Sequence, residues 1–117
     1  MEISVKVDVK PLSANAAWVG RRFKTQAYKD FEELMLTMLP RRKKISGPVA
    51  VHFDFYLVNA GRTDLDNMIK CCLDCLVKKD YLEDDRLVYQ LSAAKHKAEK
   101  DSISILINPW PYAKWIT

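Results

Sequence analysis

The stretch Val49-Ala50-Val51-His52-Phe53-Asp54-Phe55-Tyr56-Leu57-Val58 decides the fold. Val49, Val51, Phe53, Phe55 and Leu57 are apolar at every second position, the period that places alternate side chains on one face of a strand. Ala50, Tyr56 and Val58 make the other face largely apolar too, so the segment reads as a central strand. Gly47 and Pro48 introduce it, and Asn59, Ala60 and Gly61 turn the chain away from it. It is too short to span a bilayer and contains His52 and Asp54, so no membrane association is expected.

Upstream, Ile3, Val5, Val7 and Val9 alternate with Glu2, Ser4, Lys6, Asp8 and Lys10, the pattern of a half-buried strand that Pro11 ends. Residues 12–24 show no clear period and read as a loop. From Thr25, Tyr28, Phe31, Met35 and Met38 recur at helical spacing until Pro40 stops the helix, and a basic linker follows at 41–44. Downstream, Leu65, Met68, Ile69, Cys72, Leu73 and Leu76 trace a helical stripe ending near Lys78. Residues 87–94 and 102–107 read as two further strands joined through the polar segment 95–101, with Ile103, Ile105 and Ile107 in clean alternation. The tail, 108–117, contains Pro109, Trp110, Pro111 and Trp115 and reads as irregular but apolar enough to dock. The order β-α-β-α-β-β predicts one α+β domain over residues 1–117, a small mixed β-sheet with two main helices against one face.

Composition agrees with that reading. The chain has 117 residues, 49% hydrophobic and 29% charged, with five prolines and three glycines, which excludes disordered and collagen-like classes. Cys71, Cys72 and Cys75 are an odd number within five positions, with no distant partner, so a disulfide framework is excluded. They read as small reduced apolar residues of a helix; a zinc site would need a fourth ligand, which His52 or His96 supplies only by coincidence of folding. Glu2, Lys6 and Asp8 interrupt any signal-peptide-like apolar stretch, so a cytoplasmic location is expected.

The net charge of +4 is unevenly spread. Basic residues cluster at Arg21, Arg22 and Lys24, at Arg41, Arg42, Lys43 and Lys44, and at Lys95, Lys97 and Lys100, against one acidic block of Glu83, Asp84 and Asp85. By charge alone this is a solvated surface, one that can also attract a polyanion.

The segment richest in chemistry is Asp64-Leu65-Asp66-Asn67, with Lys70 one turn further on. In the plain structural reading Asp64 caps the helix, Asp66 meets the helix dipole, and Asp66 pairs with Lys70 at i,i+4. Two carboxylates at a helix start also suit a hard cation, because Mg²⁺ takes one or two carboxylates together with water and substrate phosphate. The residues alone leave both readings open. The second acidic pair, Asp84-Asp85, follows the helix where the chain must turn back along the sheet, so Asp85 can return towards the first strand-helix junction.

In order and spacing these residues resemble the RusA-type Holliday junction endonucleases of bacteria and their prophages. The resemblance rests on Asp64-Leu65-Asp66-Asn67, on Lys70, and on Asp84-Asp85. It includes Pro11-Leu12-Ser13-Ala14-Asn15 and Gln26-Ala27-Tyr28 as well, and spans residues 9–107. It implies a structure-selective nuclease that cuts four-way DNA junctions symmetrically as a homodimer, in recombination and repair. Asp64, Asp66 and Asp85, supported by Asp84, would be catalytic carboxylates binding Mg²⁺, with Mn²⁺ as a substitute, and Lys70 the catalytic lysine. Arg62, Arg21, Arg22, Lys24, Arg41, Arg42, Lys43 and Lys44 would then face branched DNA, and Asn15 would orient its loop or contact the DNA. The chain departs from the family pattern in having Pro11-Leu12 where a double proline is common, and in reducing the basic run before the acidic motif to Arg62. A nuclease preferring flaps or forks, and a non-catalytic junction-binding dimer, are the competing readings.

Overall fold

The computed structural model describes residues 1–19 and 23–111, without the side chains of residues 14, 15, 18, 19 and 23. In chain order the elements are strand β1 (Ile3–Val7), a one-turn helix α1 (Ala14–Ala17), two short strands β2 (Trp18–Val19) and β3 (Phe23–Lys24), helix α2 (Gln26–Met38), strand β4 (Val49–Leu57), helix α3 (Ile69–Lys78), and strands β5 (Val88–Lys97) and β6 (Ser102–Pro109). The main sheet has four strands in the order β1-β6-β4-β5. β6 runs antiparallel to both β1 and β4, whereas β5 runs parallel to β4, so the sheet is mixed and β4 is interior, as its apolar run predicts.

One face of this sheet holds the core. Val49, Val51, Phe53 and Phe55 of β4 and Ile103, Ile105 and Ile107 of β6 are buried with the apolar sides of α2 and α3. Phe53 and Phe55 stack at 5.5 Å between ring centroids. On the opposite face His52, Asp54 and Tyr56 are half-buried. There His52 Nε2 and His96 Nε2 meet the two oxygens of Asp54 at 3.1 and 2.8 Å. Burial pushes the Asp54 carboxyl up, but the bonds with His96 and His52 outweigh it and hold the group below the ordinary range.

Local chemistry explains the helix ends. Thr25 caps α2 by accepting from the Tyr28 N–H at 3.2 Å, and the helix stops ahead of Pro40. Tyr28, Phe31 and Met35 are buried as the stripe predicts; Met38 is instead exposed, and Leu39, just past the helix, takes the buried place. After α3 the chain is tied back to the segment that follows α2. The Ile45 N–H donates to the Tyr81 carbonyl at 3.0 Å, and the Tyr81 hydroxyl donates to the Pro40 carbonyl. Gly47, at φ +80°, sits in the left-handed region that suits glycine, and its N–H donates to Glu83 Oε1 at 2.7 Å. These ties place residues 83–85 beside α3.

Three boundaries differ from the sequence reading. Residues 12–24 contain α1 and the β2–β3 ladder, elements too short to display a period; Thr25 holds them through its N–H to Ala17 O at 2.9 Å and its hydroxyl to Ala16 O at 2.6 Å. β5 continues through Lys95, His96 and Lys97, because parallel pairing with β4 persists to Leu57↔Lys97 and an edge strand tolerates polar side chains. β6 reaches Pro109, so the irregular tail begins later than expected; residues 112–117 lie outside the described part.

Cys71, Cys72 and Cys75 are free and buried on α3, as expected of structural thiols. Burial pushes the Cys71 thiol from 9.0 to about 11 and the Cys75 thiol to about 12. The unfolded chain therefore loses these protons first as pH rises, and the stability tied to them drains away between pH 9.0 and about 12. Thermal midpoints measured in reductant should fall steadily across that window, and Cys71→Ala together with Cys75→Ala should flatten the decline. A midpoint that is level from pH 8 to 11 would contradict this.

Candidate active site

Past Leu57 the chain leaves the sheet through a 3₁₀ turn, Ala60–Arg62, closed by the Arg62 N–H to Asn59 O at 3.1 Å. The ammonium of Lys95 on β5 donates to the carbonyls of Ala60 and Thr63 at 2.7 and 2.8 Å, pinning this turn to the sheet edge. Asp64 comes next, and a second 3₁₀ turn, Asp66–Met68, leads into α3. Met68 is buried and Leu65 packs against the core, so the same backbone leaves Asp64 and Asp66 exposed.

The capping role expected for Asp64 does not occur. The intervening 3₁₀ turn carries the helix start to Ile69, and neither turn nor helix has a side-chain cap; among the described residues Asp64 Oδ2 meets Asn67 Nδ2, at 3.5 Å. The Asp66–Lys70 pair is absent as well. Lys70 Nζ points along α3 to Asp74 Oδ1 at 3.1 Å and across to Asp85 Oδ2 at 3.3 Å. Its ammonium pKa is raised, by the hydrogen bond to Asp74 first and by Asp85 less, against a lowering from burial. The second oxygen of Asp74 accepts from the buried Tyr28 hydroxyl at 2.8 Å.

Asp84 caps the short turn Asp85–Leu87 through the Arg86 N–H at 3.3 Å and meets Arg86 Nε at 3.6 Å. The Asp85 carboxyl is held below its ordinary range by its hydrogen bond with Asp84 and then by Lys70.

Two adjacent clefts result. Asp64, Asp66, Leu65, Ile69, Leu91 and Lys95 help line one of about 460 Å³. Tyr28, Lys70, Asp74, Asp84 and Asp85, with Lys24, help line the next, of about 410 Å³. Ile69 faces the first and its neighbour Lys70 the second, so the start of α3 forms the wall between them. Among the described residues no three Asp, Glu, His or Cys side chains form a ready cage for a metal ion. The donors do fit Mg²⁺ that keeps most of its water: they are hard carboxylate oxygens, exposed, and Asp64 and Asp66 have no ion-pair partner among the described residues.

The expected DNA-facing residues divide. Arg62 is exposed beside Asp64 and has no ion-pair partner among the described residues, and Arg41, Arg42 and Lys43 are exposed on the linker. Lys24 is half-buried and pairs with Glu32 at 3.3 Å, and Lys44 pairs with Asp80 at 3.4 Å. Arg21 and Arg22 lie outside the described residues, as does the Asn15 side chain.

Three residues escaped the sequence reading. Asp74 stands four positions after Lys70, a spacing that can signal a pair on a helix. Tyr28 reads as a core residue and as part of the Gln26-Ala27-Tyr28 stretch, with nothing to tie its hydroxyl to the site, and nothing local marks Lys95 as a clamp on a loop more than thirty residues earlier.

An α+β domain with two exposed carboxylates before a helix and a lysine on its first turn is the class that fold and site define. The sequence profile described as endodeoxyribonuclease RusA matches residues 8–108, and the chain belongs to the RusA family. Comparison with curated proteins gives no match. Among the described residues no helix is long and apolar enough to cross a membrane.

Proposed function

We propose that this protein is a Mg²⁺-dependent, structure-selective endodeoxyribonuclease that resolves four-way DNA junctions by paired symmetric cuts, acting as a cytoplasmic homodimer in recombination and repair. The observation that supports it most is the pair of carboxylates, Asp64 and Asp66, which have no ion-pair partner among the described residues and front a cleft next to the one Lys70 lines, in a chain of the RusA family. Asp64 and Asp66 from one cleft and Asp85, with Asp84 alongside, from the next are the oxygens that would hold the cation once they close on it across the start of α3. Mg²⁺, or Mn²⁺ in its place, supplies Lewis-acid polarisation of the phosphodiester and a lowered pKa for the attacking water. Lys70 offers its ammonium to the charge that builds on the phosphoryl oxygens. Arg62 and the exposed linker residues Arg41, Arg42 and Lys43 contact phosphates, which position an arm without reading its sequence. A second protomer supplies the second cut.

A labelled four-way junction, a flap, a fork and a linear duplex, incubated side by side, test the reading. The expected result is symmetric nicking of the junction with Mg²⁺, no cutting in EDTA, and junction binding in both. No cleavage with any divalent ion would leave a junction-binding dimer, and faster cutting of flaps or forks would reassign the substrate. Arg62→Ala should weaken junction binding and reduce the slope of log affinity against log salt by about 1, since one phosphate contact is lost. An unchanged slope would take Arg62 out of the DNA-facing surface.

A further inference from the structure

We infer that Asp74, fixed in place by the Tyr28 hydroxyl, is a positioning residue that gives Lys70 a second and firmer partner, so that a divalent cation can take the Asp85 carboxylate from it. The inference rests on the metal site proposed above and adds two residues to it.

Lys70 has one ammonium and two carboxylate partners, Asp74 at 3.1 Å and Asp85 at 3.3 Å. The two partners are unequal. The Asp74 side chain is 22% exposed and that of Asp85 is 42% exposed, so solvent weakens the second pair more. Asp74 is also immobilised from another element: its free oxygen takes the 2.8 Å bond from Tyr28 on α2, and Tyr28 is fully buried. Asp85 lies in a short turn near the surface. A buried tyrosine, a half-buried carboxylate and an exposed lysine thus form a chain running from the core to the site.

A cation recruiting Asp85 must displace Lys70 from it. With Asp74 in place the ammonium keeps its stronger partner and remains on the first turn of α3. With Asp74 neutralised, Lys70 has only Asp85 left and competes with the cation for it. Partners bonded directly to a metal ligand are commonly worth about 10–100-fold in metal affinity, and Asp74, acting through Lys70, falls at the lower end.

Mn²⁺ binding followed by electron paramagnetic resonance, without DNA, tests this directly. Asp74→Asn should bind Mn²⁺ about tenfold more weakly, at the lower end of that range, and Tyr28→Phe should shift affinity in the same direction by less. In a Lys70→Met background Asp74→Asn should change nothing, because the competitor is gone. A loss of equal size in both backgrounds would mean simple through-space charge and would overturn the inference, as would parental affinity in Asp74→Asn. If Asp74→Asn does not fold, Tyr28→Phe measured with and without Lys70→Met makes the same comparison. In cleavage, Asp74→Asn should need about tenfold more Mg²⁺ for half-maximal rate while junction affinity in EDTA is unchanged. A parent protein that binds Mn²⁺ yet cuts no branched DNA would remove the nuclease reading and leave the anchor standing.

Discussion

Asp66→Asn should abolish Mg²⁺-dependent junction cleavage while leaving junction binding in EDTA intact. The substitution keeps the size of an exposed side chain that makes no ion pair among the described residues, so the fold has little to lose. What it removes is a charged oxygen ligand. Metal polarisation is worth several kcal/mol of transition-state stabilisation, so the rate should fall by about 10³-fold or more. Single-turnover cleavage of a labelled junction beside a gel-shift titration separates the two effects. A variant that cuts as fast as the parent would remove Asp66 from the site, and one that fails to bind the junction would assign it to DNA contact instead.

The second large effect falls on stability. Phe53→Ala empties a fully buried position on the interior strand, where the ring stacks on Phe55 at 5.5 Å. Removing a buried phenylalanine costs about 3–5 kcal/mol, because apolar contact is lost and the cavity closes only partly. A domain of this size has about 5–15 kcal/mol in total, so the variant should sit near its unfolding threshold at physiological temperature. Urea denaturation should show a much lower midpoint with an unchanged slope. Tyr89→Ala, at an aromatic position that is 60% exposed, should leave the midpoint nearly where it was. Equal midpoints for both variants would mean that the helices do not seal this face in solution.

Most of the fold is legible wherever one face of an element is buried. Phe53 and Phe55 on β4, Ile103 and Ile105 on β6, and Tyr28, Phe31 and Met35 on α2 repeat at the period of their element because each repeat meets the same core. Legibility fails where that condition fails. Lys95, His96 and Lys97 form the end of an edge strand, and their polarity reads as loop although their backbones pair with β4. Met38 has the right spacing but lies beyond the covered part of α2.

For the site, the acidic motif and Lys70 stand out in one line of sequence; the end of α3 permits Asp85 to return towards the strand-helix junction, but its contact with Lys70 is set only by the fold. Their partners do not stand out. Whether Asp64 caps the helix depends on a 3₁₀ turn that no residue type announces, and the choice of Lys70 between Asp66 and Asp74 depends on the direction in which its side chain leaves α3. The role of Tyr28 requires α2 and α3 to be packed first, as two helices far apart in sequence.

The sheet order has a consequence for how the protein is made. β1 pairs with β6 from Ile3↔Ile107 to Val7↔Ile103, and β6 is also the strand that joins β1 to β4. β1 leaves the ribosome ahead of the other strands, so its apolar face waits without its neighbour until β6 has been made. Such distant pairing slows closure, since the connecting loop must be ordered before any contact rewards it. A nascent chain halted before residue 102 would hold β4 and β5 with both helices and have no means of seating β1. For this protein the emergence of β6 sets when the nascent chain becomes a domain.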